Sequence, residues 1–356
     1  MGNDIKRAAG LLQEGKVVAI PTETVYGLAA NALDTKAVAQ VFELKKRPAF
    51  DPLIIHLASA DGLEQYVKNT GPNFKALYEA FSPGPITYVL PKQSLIPDLV
   101  TAGHPTVAVR FPAHPLCRQL LESLPFPLAA PSANLFGKVS PTEAQHVADQ
   151  FEDSLEYILN GGPAAVGLES TIIDLSGESP LVLRLGGLSM EDIRAVLGKE
   201  VKYTKSSSSN PKAPGMLSAH YSPGIPLSHG NLDSLLDKVD RQRCGSISFC
   251  KRIAGIPENQ QRVLSPKGDL KEAASKLFGA LRSFKAEDID VILAEEFPNE
   301  GLGRAINDRL KRASVSWWLR VIIKNLRTFF TQLEVLTKVH SSYLFISGQL
   351  FGGTRL

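Results

Sequence analysis

Hydrophobic and polar positions alternate in blocks along the first half of the chain, and the block at 17–28 is the most informative. The apolar run 17–20 stops at Pro21, and hydroxyl side chains then lead to Gly27. This order predicts a buried strand that opens into a polar turn, although an ordinary strand end with solvated threonines would show the same pattern. Because ligands bind beyond the strand ends in open α/β sheets, this turn is a candidate site.

The same kind of pattern predicts the other elements of the first 200 residues. Short or alternating apolar runs predict strands at 17–20, 52–58, 86–90, 106–111, 127–130, 156–159, 171–175 and 181–184. Helical spacing predicts helices at 4–15, 35–46, 60–69, 73–80, 115–123, 142–150 and 189–197. Because strands and helices intermix without a strict β–α–β repeat, we expect an α/β fold with a twisted, mixed, open sheet and flanking helices.

A serine-rich stretch at 205–212 is typical of a flexible linker and marks the clearest boundary. Beyond it the pattern predicts strand 246–249, helix 270–285, strand 291–294 and helix 303–313. This order indicates a small Rossmann-like α/β domain. We therefore expect a first domain over 1–200, an interdomain linker or lid over 201–224, a C-terminal domain over 225–313 and an atypical tail over 314–356.

The tail is basic and apolar, with Trp317-Trp318 and Phe329-Phe330 separated by arginine and lysine. Such a pattern suits a basic amphipathic helix on a membrane surface or on a partner helix. A non-native or poorly ordered C-terminus would show it as well, and both interpretations stay open.

Composition narrows the class of protein. The 356 residues are 44% hydrophobic and 21% charged, as in ordinary globular proteins, and the net charge of +3 gives no bulk attraction for nucleic acid. The three cysteines form no Cys-x-x-Cys pair, which suits a reducing cytosol. With no signal-peptide pattern and no apolar run long enough for a membrane span, we expect a cytoplasmic protein.

The usual nucleotide and hydrolase motifs are absent from the sequence. It contains no Gly-x-x-x-x-Gly-Lys-Ser/Thr loop, no Gly-x-Gly-x-x-Gly after a strand, no His-Glu-x-x-His and no Gly-x-Ser-x-Gly. This excludes a standard P-loop ATPase, dinucleotide enzyme, zinc protease or α/β-hydrolase. Scattered cations and hydroxyl groups would have to hold any nucleotide.

Several side chains could carry such chemistry, and each has a plainer interpretation. A predicted helix ends in three cations, Lys45, Lys46 and Arg47. The helix dipole alone would favour cations at this end. The alternative is that they clamp a triphosphate. Arg110 ends a largely buried strand and must find an anion, which is either an internal carboxylate or a ligand. His56 ends another apolar strand, where a histidine is more often part of the core.

An ordered set of motifs resembles the YrdC/Sua5 family of threonylcarbamoyladenylate synthases. The matching runs, spread over residues 5–312, are Pro21–Leu28, Lys45–Pro48, Pro52–His56, Thr106–Arg110, Ala130–Asn134, Glu169–Ile172, Leu183-Arg184, Pro214–Met216 and His220–Pro223. The last two runs are similar to the longer, two-domain Sua5 type. The resemblance implies a YrdC-like first domain.

The resemblance also implies a reaction and its partners. L-threonine, bicarbonate or CO₂, and ATP would give threonylcarbamoyl-AMP and pyrophosphate, the activated intermediate for t⁶A at position 37 of certain tRNAs. We expect Mg²⁺ on the phosphates, a downstream tRNA threonylcarbamoyl transferase machinery, and at most weak tRNA binding. The sequence assigns no metal ligand.

Site residues follow from the same resemblance. The catalytic candidates are Lys45, Arg47 and Arg110. The threonine pocket would involve Thr24, His56, Arg110, Ala130 and Ser170. The ATP-contacting positions would be Arg47, Asp51, Thr106, Ser132, Asn134, Ser140, Arg184 and Tyr221, with Tyr221 on a segment that could fold over the site.

Asp51 departs from the family, which commonly has an ATP-contacting asparagine at this place. A carboxylate facing phosphates is repulsive unless a cation lies between them. Asp51 therefore helps to hold Mg²⁺, turns away from the nucleotide, or reduces nucleotide affinity, and the sequence does not choose.

Two other functions stay open. An RNA-binding module would use a basic concave face, but the near-neutral net charge and the lack of interleaved arginine and aromatic residues argue against it. A carbamoyl-transfer enzyme of the hydrogenase-maturation type shares a YrdC-like domain. Such enzymes carry cysteine-rich zinc motifs, and three scattered cysteines argue against that class.

Overall fold

Two β-sheets organise the part of the chain that the structure describes. The computed structural model describes residues 1–204, 211–216 and 220–314. Most of the predicted serine-rich linker, and the predicted tail 314–356 apart from Ser314, lie outside the described residues. No helix within the described ranges is long and apolar enough to cross a bilayer.

The first sheet is built from nine strands. They are β1 (Val18–Ile20), β2 (Gly27–Asn31), β3 (Ile54–His56), β4 (Ile86–Pro91), β5 (Thr106–Arg110), β6 (Leu128–Ala129), β7 (Thr171–Asp174), β8 (Leu181–Arg184) and β9 (Lys202–Tyr203). Their order across the sheet is β1-β2-β6-β3-β5-β4-β7-β8-β9. The pairs β3–β5, β4–β7 and β8–β9 are parallel and the others antiparallel, so the sheet is mixed as predicted.

Helices cover both faces of this sheet. They are α1 (Ile5–Gln13), α2 (Thr35–Lys45), α3 (Gly71–Phe81), α4 (Asp98–Thr101), α5 (Pro115–Glu122), α6 (Ala144–Phe151) and α7 (Met190–Leu197). Along β1, Val18 and Ile20 pack with α1 and α5, whereas Ala19 packs with α2 and α6. The strand is buried throughout because both of its faces are covered.

The second sheet is wholly parallel and follows the predicted Rossmann-like order. Its elements are β10 (Leu227–Gly230), α8 (Leu232–Leu236), β11 (Cys244–Ser248), β12 (Gln261–Val263), α9 (Leu270–Arg282), β13 (Val291–Glu295) and a helix over residues 303–314. The strand order is β10-β13-β11-β12. One cluster of buried apolar side chains runs from the first sheet through Tyr221 to Phe278 of α9. The two sheets therefore share a core.

Two predicted elements are wrong. The predicted helix at 60–69 is only a short 3-10 turn, Leu63–Gln65. A longer helix does not form because Gly62 adopts a φ of 74° and Val67 bridges to Lys92. The apolar spacing that predicted a helix comes from a turn that packs on the core. Residues 156–159 form isolated bridges, Ile158 to Ala19 and Leu159 to Gly2, instead of a strand.

Strand β2 was missed by the sequence pattern. Its residues, Gly-Leu-Ala-Ala-Asn, have low intrinsic preference for a strand. Antiparallel pairing with β1 on one side and β6 on the other holds them extended. Pairing with neighbouring strands thus decides the conformation of β2.

Candidate active site

A pocket opens where the β1–β2 turn meets the ends of β3, β5, β6 and β8. Eight predicted site residues line it: Arg47, His56, Arg110, Ala130, Ser132, Ser170, Arg184 and Tyr221. The other lining residues are Thr22, Val25, Gly27, Ile54, Pro131, Glu169, Pro214, Gly215 and His220. Residues distant in sequence therefore converge on one cavity.

Arg110 has an internal partner and still faces the pocket. Its Nη2 lies 2.7 Å from Oε1 of Glu23, and Oε2 of Glu23 accepts from the Ala113 backbone N–H at 3.0 Å. Both side chains are buried. The two alternatives for Arg110 are thus compatible, because Glu23 fixes a guanidinium that can also receive a carboxylate from a ligand.

His56 and the β1–β2 turn form the rest of this end of the pocket. Burial, and then the charge of Arg110, lower the pKa of His56 to about 3, so its ring is neutral at physiological pH. Thr24 is buried behind the lining, and its hydroxyl lies 2.9 Å from that of Thr22. A methyl group on Gly27 would lie 3.2 Å from Cβ of Ala130, so a glycine lets the two strand ends approach closely.

Lys45 supports the pocket from behind. Asp34 caps the start of α2, and Lys46 ends it with a φ of 52°, which leaves Lys45 in the last turn. The Lys45 amine donates to the backbone oxygens of Ser132 and Asn134 at 2.5 and 2.6 Å. Burial lowers its pKa well below the ordinary value. In this arrangement Lys45 orders the loop after β6 and does not line the cavity.

Arg47 lines the pocket and is paired with Asp51. Its Nη2 lies 2.9 Å from Oδ1 of Asp51, and both side chains are buried. Arg47 also donates to the backbone oxygens of Asp51 and Pro52 at 3.2 and 2.8 Å. Burial, opposed by the charge of Arg47, raises the pKa of Asp51. The carboxylate therefore turns toward the guanidinium that is predicted to bind ATP.

Arg184 connects Ser170 to the linker. Its Nε and Nη2 donate to the Ser170 backbone oxygen at 3.2 and 2.8 Å, and Nη1 donates to the Pro214 oxygen at 3.2 Å. The Ser170 hydroxyl lies 2.7 Å from that of Thr87. Gly215, with a φ of 76°, passes so close that a methyl group there would lie 3.1 Å from Nη1 of Arg184.

The described part of the linker lies across the sheet face that holds the pocket. Ala213 is fully buried and packs with Ile54, Ala108 and Leu183. Tyr221 stacks on Phe278, with ring centroids 5.4 Å apart. The described linker residues Pro214, Gly215, His220 and Tyr221 thus form part of the cavity wall, and the role of the linker as a lid stays a prediction.

Six predicted residues do not line the cavity: Thr24, Lys45, Asp51, Thr106, Asn134 and Ser140. Thr106 starts β5, at the end opposite Arg110. The Asn134 amide nitrogen donates to the backbone oxygens of Leu135 and Lys138 at 2.8 and 3.1 Å. The Ser140 hydroxyl donates to Glu169 at 2.6 Å. The roles given to these residues stay predictions.

Three charged side chains at the site carried no prediction: Glu23, Glu169 and Arg309. Glu23 and Glu169 stand inside motifs that the sequence singled out, and a carboxylate amid buried neighbours signals a paired charge. Arg309 gave no such signal. It lies in the C-terminal domain, 140 positions from its partner Glu169.

A protein-held metal ion does not fit this arrangement. The described ranges contain no group of three or more histidine, cysteine, aspartate or glutamate side chains that could hold one. The carboxylates nearest the pocket, Glu23, Asp51 and Glu169, each pair with an arginine. Any Mg²⁺ would be bound mainly by phosphate oxygens of a ligand, as is common for this ion.

The fold and pocket define a two-domain α/β protein with an arginine-rich site for anionic ligands. Residues 10–186 match the Sua5–YciO–YrdC family model, described as telomere recombination, and residues 188–315 match the model of the threonylcarbamoyl-AMP synthase C-terminal domain. A threonylcarbamoyl-AMP synthase of Pyrococcus abyssi is 44% identical over 319 residues, covering 87% of this chain and 94% of the relative. A threonylcarbamoyl-AMP synthase of Bacillus subtilis is 39% identical over 320 residues, covering 87% of this chain and 92% of the relative.

A solved structure agrees with these matches. The crystal structure of P. abyssi Sua5 complexed with L-threonine has a TM-score of 0.81 to this chain at 42% identity, covering 88% of this chain and 94% of that one. The chain belongs to the Sua5 family of threonylcarbamoyl-AMP synthases. The expected fold and family are thereby confirmed.

Proposed function

We propose that the chain catalyses the formation of threonylcarbamoyl-AMP and pyrophosphate from L-threonine, bicarbonate or CO₂, and ATP. The observation that carries the proposal is the convergence of Arg47, Arg110 and Arg184 on one buried pocket under the linker. Three guanidinium groups suit a ligand set that brings one carboxylate and three phosphates. The curated relatives with this two-domain organisation carry the same enzyme name.

L-threonine would occupy the end of the pocket near Arg110. The guanidinium would bind the amino-acid carboxylate, and Glu23 would hold that guanidinium in place. His56 is neutral there, so it would add no positive charge beside the threonine amine. The L-threonine complex of P. abyssi Sua5 supports threonine as the ligand.

ATP would occupy the end of the pocket near Arg47 and Arg184. The threonine amine takes up CO₂ and loses a proton, which gives a carbamate. A carbamate oxygen then bonds to the α-phosphorus while the bond to the pyrophosphate oxygen breaks. The chain would contribute positioning and charge stabilisation, because no covalent enzyme intermediate is required.

The expected metal ion, partners and location belong to the same proposal. Mg²⁺ would accompany the phosphates, and the product would pass to a tRNA threonylcarbamoyl transferase machinery with at most weak tRNA binding by this chain. A cytoplasmic location is part of the proposal, and the three free cysteines Cys117, Cys244 and Cys250 support it. The division at 1–200, 201–224 and 225–313 is also proposed, with the first domain carrying most of the pocket.

The test measures pyrophosphate release by the full chain with ATP, Mg²⁺ and bicarbonate. We expect release that requires L-threonine and that fails with glycine or L-serine. Identification of threonylcarbamoyl-AMP by mass spectrometry would complete the assignment. Threonine-independent release, or no release by a protein that binds ATP, would contradict the proposal.

A further inference from the structure

A second pocket lies between the two domains and shares no lining residue with the candidate active site. Its walls come from residues 135–139, helix α6, residues 222–223 and the end of helix α9. The charged or titratable side chains that line it are Lys138, His146, Asp149 and Arg282. Because two cations face a single carboxylate, this pocket favours an anionic occupant.

Arg282 is fixed at this pocket and keeps hydrogen-bond donors to spare. It is the last residue of α9, where the helix dipole favours a cation. Its Nε donates to the Ser140 backbone oxygen at 3.4 Å, and its Nη2 donates to that of Val139. Within the described ranges, Arg282 forms no ion pair and its Nη1 makes no hydrogen bond. The dipole and the two carbonyl groups thus place the guanidinium without neutralising it.

Burial makes an anion favourable beside this guanidinium. Arg282 is half-buried, and burial lowers its pKa to about 10 although the charge of Asp149 opposes the shift. The Asp149 carboxylate accepts from Nε2 of Gln145 at 2.7 Å. A cation that has lost part of its hydration and that no carboxylate pairs is stabilised by an anion that enters the pocket.

His146 brings a hydrogen-bond donor to the same pocket. Its Nδ1 lies 3.3 Å from the Thr142 backbone nitrogen, which can only donate. Burial, and then the charge of Arg282, lower the pKa of His146, so its ring is neutral at physiological pH. A neutral ring that accepts at Nδ1 carries its proton on Nε2. The lining therefore includes an uncharged N–H group as well as the two cations.

Gly279 leaves open space in the pocket, one helical turn before Arg282. It stands inside α9, where glycine is less favourable than alanine. A methyl group on Gly279 would meet nothing within 4 Å beyond its own helix, and the residue lines the pocket. A larger side chain at this position would therefore occupy part of the pocket and leave the cations in place.

We propose that the pocket between the two domains is a binding site for a small phosphate anion, either inorganic phosphate or pyrophosphate. Arg282 and Lys138 supply positive charge, and His146 and the Ser222 hydroxyl supply hydrogen bonds. The oxygens of a tetrahedral phosphate accept from several directions at once, and the arginine fork matches two of them. The site is separate from the candidate active site, so the inference does not rest on the proposed function.

Histidine NMR signals of the full chain distinguish the two pockets. His146 reports on the pocket between the domains, whereas His56 and His220 report on the candidate active site. The His146 signal is identified by its loss in His146→Gln. At constant ionic strength, titration with phosphate or with pyrophosphate should move this signal until it saturates, and chloride should not move it. The two titrations show which of the two anions binds more tightly.

The matched variants are Arg282→Met and Lys276→Met. Each removes one positive charge from α9, but Lys276 pairs with Glu272 and does not line the pocket. We expect Arg282→Met to raise the Kd for the anion by about tenfold or more, because charge-assisted hydrogen bonds are lost. Lys276→Met should leave the Kd within about twofold. Gly279→Leu keeps every cation and fills the pocket, and it should also weaken binding.

An unchanged Kd in Arg282→Met or in Gly279→Leu would overturn the inference, and Gly279→Leu decides alone if Arg282→Met does not fold. Movement of the His146 signal without saturation would mean an adventitious ion only. Movement of the His56 or His220 signal beside an unmoved His146 signal would restrict anion binding to the candidate active site. Movement with tRNA and with neither small anion would replace the site by a nucleic-acid surface. The titration gives the same answer whether or not the chain shows threonine-dependent turnover.

Discussion

Replacing Asp51 with asparagine is expected to tighten ATP binding. Asp51 and Arg47 form a buried ion pair at 2.9 Å, so a phosphate that binds the same guanidinium would lie about 5 Å from the Asp51 carboxylate. At an effective dielectric constant of about 20, two like charges at that separation repel by about 3 kcal/mol. Since about 1.4 kcal/mol corresponds to a factor of ten, we expect the Kd for ATP to fall by about 100-fold in Asp51→Asn.

The pH dependence of this effect gives a second measurement. Burial raises the pKa of Asp51 above its ordinary value, so the carboxyl group becomes neutral more readily as the pH falls. The difference in Kd between the wild type and Asp51→Asn should therefore narrow as pH falls and widen as it rises.

Titration calorimetry with a non-hydrolysable ATP analogue at several pH values would measure both effects. Asp61→Asn, at an exposed position, is the matched control and should bind like the wild type. Weaker binding by Asp51→Asn at every pH would refute the reasoning and would indicate that the carboxylate supports the nucleotide through a cation.

The remaining predictions concern the threonine end of the pocket. Arg110→Ala should abolish threonine-dependent pyrophosphate release and retain ATP binding in calorimetry; unchanged turnover would remove Arg110 from the site. Glu23→Gln should raise the KM for threonine by about tenfold, because the charge that orients Arg110 is lost; an altered KM for ATP alone would contradict this. The pKa of His56 falls from 6.5 to about 3 on folding, so its stabilisation is present above pH 6.5 and is lost as pH falls toward 3. His56 should contribute a loss of up to about 1.4 kcal/mol per pH unit in that range, and His56→Gln should make the pH dependence measured by urea unfolding shallower by that amount.

Periodicity predicted most of the fold because most elements bury one face. The helix that ends at Lys45 was found in this way, and the run at 17–20 was found because both of its faces are buried and it is therefore apolar throughout. Strand β2 and the turn at 60–69 were not predicted by periodicity. Pairing with β1 decides the conformation of β2, and a left-handed Gly62 decides that of the turn. Both depend on contacts with distant parts of the chain.

The candidate site was predicted in outline and not in its pairings. Motif resemblance brought Arg47, Arg110 and Arg184 to one place, and the structure puts all three on the pocket wall. The resemblance left open which internal anion each arginine pairs with when no ligand is bound. Asp51 is a clear case, because three interpretations were compatible with the sequence: holding Mg²⁺, turning away from the nucleotide, or reducing nucleotide affinity. Only the folded loop brings its carboxylate to Arg47.

The pairings also explain how so basic a pocket can fold without a ligand. Arg47, Arg110 and Arg309 would each be costly if buried alone, and each has a carboxylate partner: Asp51, Glu23 and Glu169. An incoming carboxylate or phosphate has to share these cations with the internal anions. Removing Asp51 should therefore lower the stability of the ligand-free protein and increase the stabilisation that ATP brings, because no internal carboxylate then competes with the phosphate for Arg47. A ligand-dependent shift in Tm that is larger in Asp51→Asn than in the wild type would support this view, and an equal shift would refute it.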